Sequence, residues 1–207
     1  MMRLQKIINQ IESSLTWKIR KTYITMGNEE ILSDPWDRIH HITIPMHKHR
    51  DIEYLHELAH AVLAERHHLL ATAIFAKGTP EKYYDMLVNP IRTASDWFAD
   101  SLLMQWVPDL EQAEIIEHFR YCVQINKNSP DILYMGGLLL AQAVYYCGRS
   151  IDEAPQYAVV ARILLRTDPG NPSVEAKRDL VNALAELTCQ QRIKLGQDDG
   201  FEVWIVR

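Results

Sequence analysis

DIEYLHELAHAVLAERHHLL, residues 51–70, decides how this chain is read. Ile52, Leu55, Ala59, Val62 and Leu63 recur with helical spacing, and Asp51 stands where a cap belongs. The stretch therefore predicts a helix from Ile52 to about Leu70. Inside it lies His56-Glu57-Leu58-Ala59-His60, an HExxH pattern. The two histidines fall one turn apart on one face, so both imidazoles can reach a single metal ion. Two ring nitrogens at that spacing suit zinc, and Glu57 flanks them where it could hold a water and take its proton. From the chain's own histidine and glutamate frequencies, the pattern would arise by accident roughly 0.03 times. Two surface histidines on a structural helix are the bland alternative.

Outward from that helix, residues 16–25 and 38–44 are rich in β-branched and aromatic residues and predict short strands. The N-terminus reads as an amphipathic helix carrying Leu4, Ile7, Ile8, Ile11 and Leu15, without the apolar core of a signal peptide. Downstream the chain is mostly helical. Thr79-Pro80, Asn89-Pro90, Ser129-Pro130 and Asn171-Pro172 each pair a capping residue with proline and predict four helix starts. Further helical patterns cover residues 109–125 and 153–165, and residues 201–206 return to strand. The expected architecture is α+β, mostly helical, with a small β-sheet beside the HExxH helix. Residues 1–108 form its core. Residues 109–207 form a helical extension that ends in a short strand and packs on the core as one unit.

Composition narrows the function classes. The 207 residues are 47% hydrophobic and 24% charged with a net charge of −5, which fits a globular chain and argues against nucleic acid as the main partner. The longest apolar run, residues 135–147, is too short to span a bilayer and contains Gln142. Cys122, Cys147 and Cys189 lie far apart with no CxxC, as expected of free thiols in a reducing cytoplasm. Of nine histidines, eight fall between His40 and His68. Beyond the HExxH pair, His47-x-His49 could form a second metal site. His67 and His68 suit a helix C-terminus, where the dipole favours a protonated imidazole. One of these two, His118, Tyr83 or Tyr84 could stabilise an oxyanion.

A catalytic zinc site needs a third protein ligand. Asp96 and Asp100, one helical turn apart beside Trp97 and Phe98, are the preferred pair: one to bind metal, the other to orient a ligand histidine. Glu81 and Asp85 offer the same spacing and are the second choice.

HELAH followed by DWFADSLLM at residues 96–104 resembles the zincin metallopeptidases, in particular the ImmA/IrrE-type family. That family is associated with a helix of the form ExxxN-x-FAAxLLMP after HExxH. The likeness covers residues 42–106 and implies a zincin-like fold, Zn2+ as cofactor and hydrolysis of a peptide or protein substrate. It also implies a bacterial or mobile-element setting in which a regulatory protein is cut. Alignment on Leu102-Leu103-Met104 puts Arg92 where the family's liganding glutamate stands, and arginine cannot ligate zinc. The expected ligand is then Asp96, one turn on, with Asp100 behind it. The competing expectation is a non-catalytic zincin-like domain that binds metal or protein. Residues 138–165 resemble a helix-turn-helix-like segment, read in this acidic chain as packing.

Overall fold

The computed structural model describes residues 2–47, 49–125 and 129–207. Helix α1 (Met2–Ser14) leads into strands β1 (Lys18–Ile24), β2 (Glu30–Asp34) and β3 (Ile39–Pro45). β3 is central, pairing parallel with β1 and antiparallel with β2, so the sheet order is β1-β3-β2. Alternation decides its inner face: His40, Ile42 and Ile44 are buried. Against this face and α1 packs α2 (Asp51–Arg66), through Tyr54, Leu55 and Leu58. β2 carries only two apolar residues in EILSD, which is why its sequence gave no strand pattern.

Two features of α2 differ from expectation. Arg50 occupies the cap position, and Asp51 instead supplies a carboxylate to the first turn, where the helix dipole favours it. The helix also stops at Arg66, because His67 turns extended and its Nδ1 accepts from the Leu69 amide to start the short α3 (His68–Ala71). His67 and His68 are not loose helix-end cations. Their Nε2 atoms lie 2.7 Å from Glu202 Oε2 and 2.8 Å from the Glu202 carbonyl oxygen.

Glu65 fastens α2 to the sheet. It accepts from the Thr16 and Trp17 amides and the Thr16 hydroxyl, and lies 3.3 Å from the ring of His40, which stacks on Trp17. Charge-assisted bonds of this kind contribute about 1.5–3 kcal/mol each when lost singly. Glu65→Ala should therefore lower Tm by about 5–10 °C at neutral pH, read by thermal denaturation. A shift under about 2 °C would show that the carboxylate is dispensable.

Helix α4 (Glu81–Trp106) corrects another expectation. Asn89-Pro90 starts no helix; Pro90 lies inside this one. The lost backbone bond costs about 3 kcal/mol, but Leu87, Ile91, Ala94 and Trp97 are buried on either side of it and hold the helix together. After α5 (Pro108–Val123) comes α6 (Pro130–Cys147), capped by the Ser129 hydroxyl accepting from the Ile132 amide. A Cβ on Gly137 would lie 2.3 Å from Val160, so that glycine sets how closely α6 meets α7 (Ala158–Leu164). The single helix expected over residues 153–165 is broken by Pro155 into short 3-10 turns before α7. Likewise the cap of α8 (Val174–Ala185) is Ser173, two residues past the expected Asn171.

The chain ends in an antiparallel hairpin, β4 (Ile193–Asp198) and β5 (Phe201–Val206), turning through Asp199-Gly200 with both φ angles positive. One apolar cluster runs from Ile52 through α4, α6, α7 and α8 to Trp204, crossing the boundary at residue 108. The segment resembling a helix-turn-helix contributes Leu140, Ala143, Val160 and Leu164 to it. Cys122, Cys147 and Cys189 are free thiols. Among the described residues, no helix is long and apolar enough to cross a membrane.

Candidate metal centre

The apolar back of α2 turns His56, Glu57 and His60 away from the sheet, and α4 crosses in front of them. Asp96 and Asp100, one turn apart on α4, both face this helix. His60 Nε2 lies 3.0 Å from His56 Nε2 and 3.2 Å from Asp96 Oδ1, and His56 Nε2 lies 3.8 Å from the same oxygen. A tetrahedral ion with bonds of roughly 2.0–2.1 Å separates neighbouring donor atoms by about 3.3 Å. The three donors thus form a triangle of the right size for one metal ion.

Asp100 stands behind the triangle. Its Oδ1 accepts from His56 Nδ1 at 2.8 Å, which orients the ring with Nε2 toward the other donors. Its Oδ2 accepts from the Gln142 amide of α6, so the carboxylate is clamped from both sides. Gln142 went unassigned at the sequence level, although its place in an apolar run was the available signal. His60 Nδ1 is buried without a partner among the described residues.

Burial works against charge on His56, but Asp100, then Asp96 and Glu57, outweigh it and push its pKa up to about 10. Burial likewise opposes ionisation of Asp96, yet His60, His56 and more distantly Lys177 hold its carboxyl below the ordinary range. The negative potential that favours a proton on His56 would equally favour a metal ion in that proton's place.

Asp100→Asn keeps the shape but removes the charge that makes His56 a strong donor. Metal affinity should fall by about 10–100-fold, measured by competition with a chromophoric chelator. Unchanged affinity would remove Asp100 from the site.

Two clefts meet at His56, Glu57 and Asp96. One, of about 480 Å³, runs between α2, α4, α5 and α6; the other, of about 700 Å³, runs along β2. Glu57 opens onto both. Of the remaining candidates, Asp85, Tyr84 and Arg92 line the β2 cleft, and His118 lines the other. Among the described residues, only His56, His60 and Asp96 are grouped closely enough to hold a metal; Glu81 and Asp85 lie outside the group. Arg92, with a side chain 69% exposed, lies 3.9 Å from Glu30 at the edge of the β2 cleft. Among the described residues, His47 and His49 belong to no group that could hold a metal; the His49 ring bonds Glu29 and lies 3.4 Å from Asp51. No known protein family, curated protein or solved structure matches this chain.

Proposed function

We propose that this chain is a zinc-dependent peptidase with a zincin-like fold, of the kind found in the ImmA/IrrE-type family. The observation that carries the reading is the convergence of His56, His60 and Asp96 at the junction of two clefts, with the carboxylate of Glu57, which has no hydrogen-bond partner among the described residues, beside them. Two imidazoles and one carboxylate are a donor set that suits Zn2+ and leaves a fourth position for water. Zinc, when bound, supplies Lewis acidity that polarises a peptide carbonyl and acidifies water.

The protein's own residues do the rest. Glu57 accepts the proton of the attacking water and returns it to the leaving amine. Asp100 and Gln142 keep His56 in the donor orientation. β2 has β3 as its strand partner on one side, and its residues Glu30 to Ser33 border the cleft on the other. An extended substrate can pair with that edge by backbone hydrogen bonds, independent of its sequence. The three free thiols fit action in a reducing cytoplasm, and a regulatory protein is the substrate that the family resemblance suggests.

The test is zinc loading followed by mass-spectrometric mapping of a peptide library. One equivalent of zinc, cleavage abolished by a chelator and cleavage restored by zinc are expected. Failure to bind zinc stoichiometrically would overturn the reading.

A further inference from the structure

The cleft between α2, α4, α5 and α6 contains a carboxyl that the hydrolysis does not use. Glu111, on the first turn of α5, is 6% exposed and lines this cleft. Among the described residues its side chain has no hydrogen-bond or ion-pair partner. On this otherwise enclosed side chain the carboxyl oxygens open into the cleft, where a donor on a bound group would meet them. Burial and the neighbouring Asp100 push its pKa up to about 8, with His56 offsetting part of the effect.

The surroundings define what would complete it. The cleft walls near Glu111 are apolar, formed by Leu103, Ile115, Leu138 and Leu139. At the rim, the Arg50 guanidinium is already held by Glu114 and lies 3.5 Å from Glu53, and the His118 ring lies 3.7 Å from Glu114. An acidic side chain entering here would meet Glu111 and Glu53. A neutral one would cover the Glu111 carboxyl without pairing it. A lysine or arginine lays its methylene stem on the apolar walls and brings its charged end to the carboxyl.

We propose that Glu111 is the base of a subsite for a lysine or arginine side chain, so that peptides seated over Glu57 carry a basic residue beside the bond facing it. The use of the subsite in hydrolysis rests on the peptidase reading; the binding itself does not.

The experiment separates the two. Calorimetry on the zinc-loaded protein uses acetyl-Ala-Arg-Ala-amide as probe, beside the analogue with citrulline, arginine's neutral near-isostere. The arginine peptide should bind at least tenfold more tightly, and Glu111→Gln should bring the two within about twofold while keeping its metal and its Tm. Should that variant fail to fold, the arginine–citrulline comparison on the wild type still decides. Equal binding, no binding of either peptide, or a preference that a folded Glu111→Gln retains would overturn the subsite. In the library digest, basic residues should be enriched at one position flanking the cut. Arginine-selective binding without any cleavage would sink the peptidase reading and leave the subsite standing.

Discussion

Glu57→Gln should keep one equivalent of zinc and lose hydrolysis by about 10²–10⁴-fold, the usual contribution of a positioned general base. Glutamine matches glutamate in size, and Glu57 is not among the three grouped donors, so the metal centre should survive the change. The amide cannot accept the water's proton, so loss of turnover isolates the proton-transfer role from metal binding. His60→Ala is the complementary case: it removes a largely buried donor that lies within 3.2 Å of both others. Zinc and activity should then disappear together. Loss confined to activity in the first variant, and extended to metal in the second, is the signature expected of a hydrolytic centre. A Glu57→Gln protein within tenfold of the wild-type rate would remove Glu57 as the base.

The helix carrying His56 and His60 was legible because its apolar back and the spacing of its histidines are both local properties. The third donor was not fully so. Asp96-Asp100 and Glu81-Asp85 look alike as i, i+4 pairs on one continuous helix. What separates them is reach: Glu81 lies 15 residues before Asp96, roughly 22 Å along the axis. Only the place where α4 crosses α2 decides which pair meets the histidines, and that is set by packing of Trp97, Phe98 and Ala99 far along the chain. The same limit hid Gln142 and Glu111. Gln142 stands in an apolar run and Glu111 among the many polar residues of α5, and in both cases the meaning comes from what another helix brings against the side chain. β2 and β4 were hidden for a different reason: EILSD does not alternate, and IKLGQD alternates over only four residues before Gln197 and Asp198. Pro90 shows local chemistry being overruled, because a start signal was absorbed into a longer helix by burial on both sides.

Lys177→Met should stabilise the protein at pH 6 and lose that advantage at alkaline pH. Lys177 sits on α8 with a side chain 0% exposed, and its ammonium donates to the Leu70 carbonyl at 2.8 Å. Burial lowers its pKa from 10.5 to about 7, although the charge of Asp96 pulls the other way. Between pH 7 and 10.5 the unfolded chain holds this proton and the folded one does not, so stability from this group rises with pH across that window. The penalty of burying the charge is therefore fully present below pH 7, on the order of 5 kcal/mol at about 1.4 kcal/mol per pKa unit. Methionine fills similar space without charge but leaves the Leu70 carbonyl unpaired, at about 1–3 kcal/mol. The net gain at pH 6 should be about 2–4 kcal/mol, or roughly 5–12 °C in Tm for a chain of this size. Above pH 10.5 the ionisation penalty is gone and only the unpaired carbonyl remains, so the variant should be the less stable of the two. Thermal melts at pH 6 and in alkaline buffer measure both signs. A Tm difference that does not change with pH would mean that Lys177 stays charged in the folded core.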